Sequence, residues 1–129
     1  MSDEKPCQGE FCWNELMTRD PEAAAKFYSE LVGWEAADSG MPGMKYTLWK
    51  TDGKDKGGMM LMPPDVPAQV PAHWMAYITV DDVDVSAKKT AELGGIVIVP
   101  PQDIPEVGRF TVIQDPTGAT VGLITLASK

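Results

Sequence analysis

Residues 16–33 read LMTRDPEAAAKFYSELVG, and residues 78–95 read ITVDDVDVSAKKTAELGG. Laid over one another at an offset of 62 residues, Asp20 falls on Asp82, Ala25 on Ala87, Lys26 on Lys88, Glu30 on Glu92, Leu31 on Leu93 and Gly33 on Gly95. Self-similarity at a fixed offset means one supersecondary unit used twice. The matched positions have physical work to do. Asp20 and Asp82 stand where a strand should end and a helix begin, so each can cap free N–H groups of the first turn. Pro21 occupies the first helical position, where its missing N–H costs nothing. Gly33 and Gly95 follow the last turn, where a left-handed residue is wanted. In the first copy Ala24, Phe27, Tyr28 and Leu31 recur at helical spacing, with Glu22, Lys26, Ser29 and Glu30 opposite. The second copy is less amphipathic, with Val83, Ala87, Ala91 and Leu93 spread more widely, and its helix rests partly on the repeat.

Working outward, short strands flank both helices. Residues 10–17 and 73–80 precede them, and 34–37 and 96–99 follow. Residues 45–51 and 108–114 come next, and 57–62 and 119–126 close each copy. Turn clusters separate them: Gly40 to Gly43, Asp52-Gly53, Pro63-Pro64, Pro100-Pro101 and Asp115-Pro116-Thr117-Gly118. Each copy therefore reads β-α-β-β-β. The prediction is a single α+β domain over 1–129, made of two βαβββ modules at 9–62 and 72–126. The proline-rich stretch 63–71 joins them and is too short to separate independent domains.

Composition narrows the function classes. With 129 residues, 43% hydrophobic and 23% charged, the chain is long enough to bury a core without disulfides or metals. A formal net charge of -8 argues against nucleic acid, which needs a clustered basic surface. Lys50, Lys54 and Lys56 form only a loose group in one loop. Cys7 and Cys12 would close almost no loop, so reduced thiols in a cytoplasmic compartment are the simpler expectation. No apolar run approaches the ~20 residues of a membrane span. The start, Met-Ser-Asp-Glu-Lys-Pro, lacks the hydrophobic stretch of a signal peptide.

The repeat, the Phe27-Tyr28 to Gly33-Trp34 segment, Val80 to Asp84, Leu93-Gly94-Gly95 and Asp115-Pro116-Thr117-Gly118-Ala119 together resemble the vicinal oxygen chelate superfamily of glyoxalases, bleomycin-resistance proteins and extradiol dioxygenases. The resemblance covers residues 9–126. Trp13 to Asp20 and the Ile104 to Arg109 loop look most like a bacterial branch of that superfamily. It implies two curved mixed sheets around a cavity. It also implies one metal ligand on the first and last strand of each module, positions that fall here on Trp13, approximately Met60, Met75 and Gly122. None of these can hold a divalent cation of that class, which takes imidazole, carboxylate or thiolate donors. With one His in the chain, no metal and no other cofactor is expected.

Strand alternation names what should face the cavity instead. Phe11 and Glu15 share parity with Trp13, and His73 and Tyr77 share it with Met75. Trp74, Ala76, Ile78 and Val80 should then pack under the helix. Met60 and Met62 add an apolar lining, and Met59 belongs to the same group. Each polar candidate has a sharp and a plain reading. Glu15 is a general base or cation binder, or is paired with a donor such as Arg109 or a backbone amide. His73 is an acid or base, or a capping residue at a strand start after Pro71. Tyr77 orients a ligand or fills core. Arg109 binds an anionic group or pairs with a carboxylate.

Two function classes follow. One is a metal-free protein holding a small, cationic or aromatic molecule through Trp13, Glu15, Met60, Met62, His73, Met75, Tyr77 and Arg109. The other is a glyoxalase-like lyase or isomerase working through Glu15 with His73 or Tyr77. Binding is the favoured expectation, in a homodimer with neither nucleic acid nor membrane as partner.

Overall fold

The computed structural model describes residues 7–40, 46–104 and 107–127. Two helices and eight strands alternate as the repeat predicts: β1 (Phe11–Thr18), α1 (Pro21–Val32), β2 (Glu35–Asp38), β3 (Tyr46–Thr51), β4 (Lys54–Leu61), β5 (His73–Thr79), α2 (Val83–Glu92), β6 (Ile96–Ile104), β7 (Gly108–Gln114) and β8 (Thr120–Leu126). The class is α+β, with two βαβββ modules. The expected turn at Gly40 to Gly43 lies largely outside the described residues. The chain divides into two compact units, residues 13–75 and residues 76–127 with 7–12.

The first unit carries the strand order β2-β3-β4-β1. β4 returns parallel to β1, with Glu15 beside Gly58 and Met17 beside Met60, while β3 is antiparallel to both β4 and β2. Asp20 caps α1 by accepting from the Ala23 N–H at 3.1 Å, Pro21 opens the helix, and Gly33 ends it at φ 79°. The core is Leu16, Trp49 and Met59, covered by Ala24, Ala25, Tyr28 and Trp34. The buried stripe is thus rotated from the predicted one. Two alanines let the helix approach the sheet, and Phe27 and Leu31 stay 57% and 63% exposed. Arg19 donates to the carbonyls of Val70 and Pro67 at 2.7 and 3.0 Å, pinning the linker.

The second unit carries the order β5-β8-β7-β6, with β8 parallel to β5 and Tyr77 beside Gly122. Its core is Val80, Val83 and Leu123, with Ile78 and Ile113 packed against it. Gly9 and Glu10 exchange backbone hydrogen bonds with Thr79 at 2.8 Å, so the chain start belongs to this unit. Asp82 caps α2 through Asp84 and Val85. The stop differs from expectation: Gly94, at φ 93°, is the left-handed residue. Gly95 is needed for space, because a Cβ there would meet the Gln114 carbonyl oxygen at 2.7 Å and Thr90 Cγ2 at 2.8 Å.

Two more expectations change. Pro100-Pro101 is no turn, since β6 runs on to Ile104. As the last strand in the order it is an edge, where prolines are tolerated, and its register shifts between Val99 and Gln102 absorb them. Trp74 does pack under a helix, but α1 rather than α2: its ring meets Tyr28 edge-on at 5.5 Å and its Nε1–H donates to the Tyr28 hydroxyl. Cys7 and Cys12 are free thiols.

Candidate functional site

β1 alternates. Leu16 points at the helix-covered core, so Trp13, Glu15 and Met17 belong to the other face, joined there by Gly58 and Met60 of the parallel neighbour. Glu15 is buried, 7% exposed. Tyr46 is one donor to it: the phenol hydroxyl donates to Oε2 at 2.7 Å. The same hydroxyl accepts from Trp13 Nε1–H at 2.9 Å. Three side chains thus form one row, indole to phenol to carboxylate. A Cβ on Gly58 would overlap the Tyr46 phenol, so that glycine makes room for the row. Burial, and next the negative charge of Glu15, push the Tyr46 phenol well above its ordinary range, keeping it protonated and donating.

Tyr46 was absent from the residues singled out in the sequence. A signal existed, since Trp49 packs under α1 and alternation puts Tyr46 and Leu48 on the Glu15 side of β3.

The second unit repeats the device with apolar parts. Tyr77, 62 residues after Glu15, lies with its ring over Gly122 and meets Phe110 edge-on at 6.4 Å. By strand pairing the partner of Gly122 is therefore Gly58, not Met60. Val99 and its partner Val112 are thirteen positions apart, whereas Ala37 and Leu48 are eleven apart, so the offset rises from 62 to 64 across that stretch. Either assignment leaves the four metal positions without a suitable donor. Among the described residues no group of three or more His, Cys, Asp and Glu converges as a cation site. The residues present do not fit the superfamily's metal.

The remaining candidates disperse. Met62 and Met75 are buried, 4% and 7% exposed. His73 Nδ1 lies 2.9 Å from the Pro71 carbonyl oxygen, which can only accept, so that nitrogen carries the proton. Arg109 grips Asp84 through two bonds, Nε at 2.9 Å and Nη2 at 3.1 Å, and reaches Asp103 through Nη1 at 3.1 Å. Those bonds hold the Asp84 carboxyl below the usual carboxylate range. The geometry of Arg109 is that of a clamp between β7, β6 and the first turn of α2.

Comparison with known proteins agrees with this architecture. The chain is 42% identical over 118 residues to the Mycobacterium bovis protein named "Putative glyoxylase CFP32", covering 90% of this chain and 45% of that one. It is 34% identical over 119 residues to the anthracycline biosynthesis protein DnrV of Streptomyces peucetius, covering 83% and 43%. The chain thus spans less than half the length of these relatives. Among solved structures, methylmalonyl-CoA epimerase from Mycobacterium tuberculosis superposes with a TM-score of 0.64 at 13% identity, covering 97% of this chain and 93% of the epimerase. The Mn(II)-bound glyoxalase from Novosphingobium aromaticivorans gives 0.59 at 15%, covering 92% and 39%. These two likenesses concern the fold. The family model of the Glyoxalase/Bleomycin resistance protein/Dioxygenase superfamily matches residues 11–123, and the chain belongs to that superfamily.

Proposed function

We propose that this chain is a small-molecule binding protein of the glyoxalase/bleomycin-resistance type that holds an aromatic ligand, with a hydroxyl or cationic group, without a divalent metal. The observation that carries the reading is the row Trp13–Tyr46–Glu15. It presents an aromatic surface beside a buried carboxylate, with Trp13 at a strand position where the superfamily's enzymes place a ligand to metal. A desolvated carboxylate attracts a cation or hydroxyl more strongly than an exposed one does. Met60 and Met17, which share that face, supply adaptable apolar contact. The name of DnrV, an anthracycline biosynthesis protein, makes an anthracycline the natural first probe.

The test is titration with an anthracycline, read by quenching of its own visible fluorescence. Saturable binding that Glu15→Gln weakens by about 1–3 kcal/mol supports the reading. Binding indifferent to Glu15 and Trp13 sinks it.

The 2.7 Å contact between Tyr46 and Glu15 also favours a second reading, a lyase or isomerase with Glu15 as base and Tyr46 as the group that steadies it. Here Tyr46 takes the place that the sequence offered to His73 or Tyr77. Mass spectrometry of a recovered probe separates the two readings, because a binding protein returns it unchanged.

A further inference from the structure

We propose a second ligand site on the opposite, helix-covered face of the first unit, taking a single-ring aromatic carboxylate. A cavity of about 250 Å³ opens there between Asn14, Trp34, Lys56, Gly57 and Trp74. Alternation separates it from the Trp13–Tyr46–Glu15 row: Asn14 and Gly57 are the strand neighbours of Glu15 and Gly58 and point the other way. The cavity is open to solvent on one side, and its volume exceeds the roughly 150 Å³ that holds benzene in a closed apolar cavity, so a ring with a substituent fits.

The walls suit an aromatic plane. Trp34 and Trp74 meet at 76° with ring centres 5.9 Å apart, giving one face and one edge. The polar groups are unspent donors. The Lys56 ammonium has no ion pair among the described residues, unlike Lys50, which is held by Asp55 at 2.6 Å. The Asn14 amide makes no hydrogen bond to another described residue. Behind them Trp49, fully buried, leaves its Nε1–H without a partner. Its ring adjoins Trp34 at 5.2 Å. Its Cδ1, the carbon bonded to Nε1, lies 3.6 Å from where Gly57 would carry a Cβ. Trp49 therefore backs the wall that Trp34 presents, so a ring seated against Trp34 alters the surroundings of both indoles. The Lys56 cation and the Asn14 amide ask for an acceptor, and the two tryptophans that line the cavity ask for a ring. A carboxylate on a benzene ring supplies both.

The four tryptophans of the chain make the test direct. Their indole N–H signals are followed in ¹⁵N-labelled protein during titration with sodium benzoate, with acetate and benzamide as controls. The signals of Trp34, Trp49 and Trp74 should move together and saturate by about 10 mM, the range of a one-ring ligand. The Trp13 signal should stay still, and Lys56→Ala should weaken binding by about tenfold. Acetate should do nothing, and benzamide should bind more weakly than benzoate. Movement confined to Trp13 would overturn the second site while leaving the row as a binding face. Absence of a saturable shift, equal binding by Lys56→Ala, or an equal response to acetate would also overturn it.

Discussion

Replacing Tyr46 by Phe removes one oxygen and breaks two hydrogen bonds, the one that Trp13 Nε1–H donates and the one that Glu15 Oε2 accepts. The expected loss is about 1–3 kcal/mol, read by urea denaturation at pH 7. The pH dependence identifies the cause. An unfolded tyrosine ionises near ~10, whereas the folded Tyr46 is held above that value by burial and by Glu15. Above that pH the unfolded chain sheds a proton that the folded chain keeps, so stability falls as pH rises. The deficit of Tyr46→Phe against the wild type should therefore shrink above pH ~10; a constant deficit would show that the phenol ionises freely. Glu15→Gln is gentler, because its amide oxygen still accepts from Tyr46. Its melting temperature should stay within about 3–5 °C of the wild type, the span of ~1 kcal/mol at this size. Phenolate absorbance should appear at lower pH once the repelling charge is gone. Of this site the sequence made Glu15 and Trp13 legible, because strand parity depends only on near neighbours. Tyr46 was not, because its meeting with Glu15 depends on cross-strand register, which no local pattern encodes.

At the level of elements, the helix starts were legible because capping is local chemistry: an Asp in each copy, joined in α1 by Pro21, determines them. The metal-position equivalence slipped by two residues for a non-local reason. Edge strand β6 tolerates prolines and bulges, so extra residues enter there without disturbing the core. The slip has a measurable counterpart. If Gly58 and Gly122 are structural equivalents, each exists to admit a tyrosine ring against the sheet. Gly122→Ala would put a methyl into Tyr77, forcing an overpacked core at a cost of about 1–3 kcal/mol. Met60→Ala, at the position paired by the simple offset, should instead cost what truncating a half-buried side chain costs, with no shift of either tyrosine. A crystal structure of Gly122→Ala with Tyr77 unmoved would show the equivalence to be wrong.

For the whole molecule the open question is what covers its apolar surface. Phe27, Leu31 and Val32 on α1, and Val85, Leu93, Ile96 and Ile98 in the second unit, are each at least half exposed. Single exposed apolar residues are ordinary, but three of these share α1 and two share β6. β6 adds an edge strand carrying two of them. A second copy offers the same surface, and a two-fold arrangement lets one patch cover its own image. The net charge of -8 works against association at low ionic strength, since both copies carry it. Two signs therefore follow for one equilibrium. Sedimentation equilibrium in 0.15 M salt, where exposed charges beyond about 8 Å are screened, should give roughly twice the 14.0 kDa of the chain. Lowering the salt should favour the monomer, because repulsion grows while the apolar contribution barely changes. Leu31→Glu and Ile98→Lys, placed on exposed positions of separate elements, then show which patch is used: the one in the interface should shift the equilibrium toward monomer at least tenfold, about 1.4 kcal/mol. A chain that sediments as 14.0 kDa at every salt and micromolar concentration, with both variants indistinguishable from it, would mean that these residues simply face water.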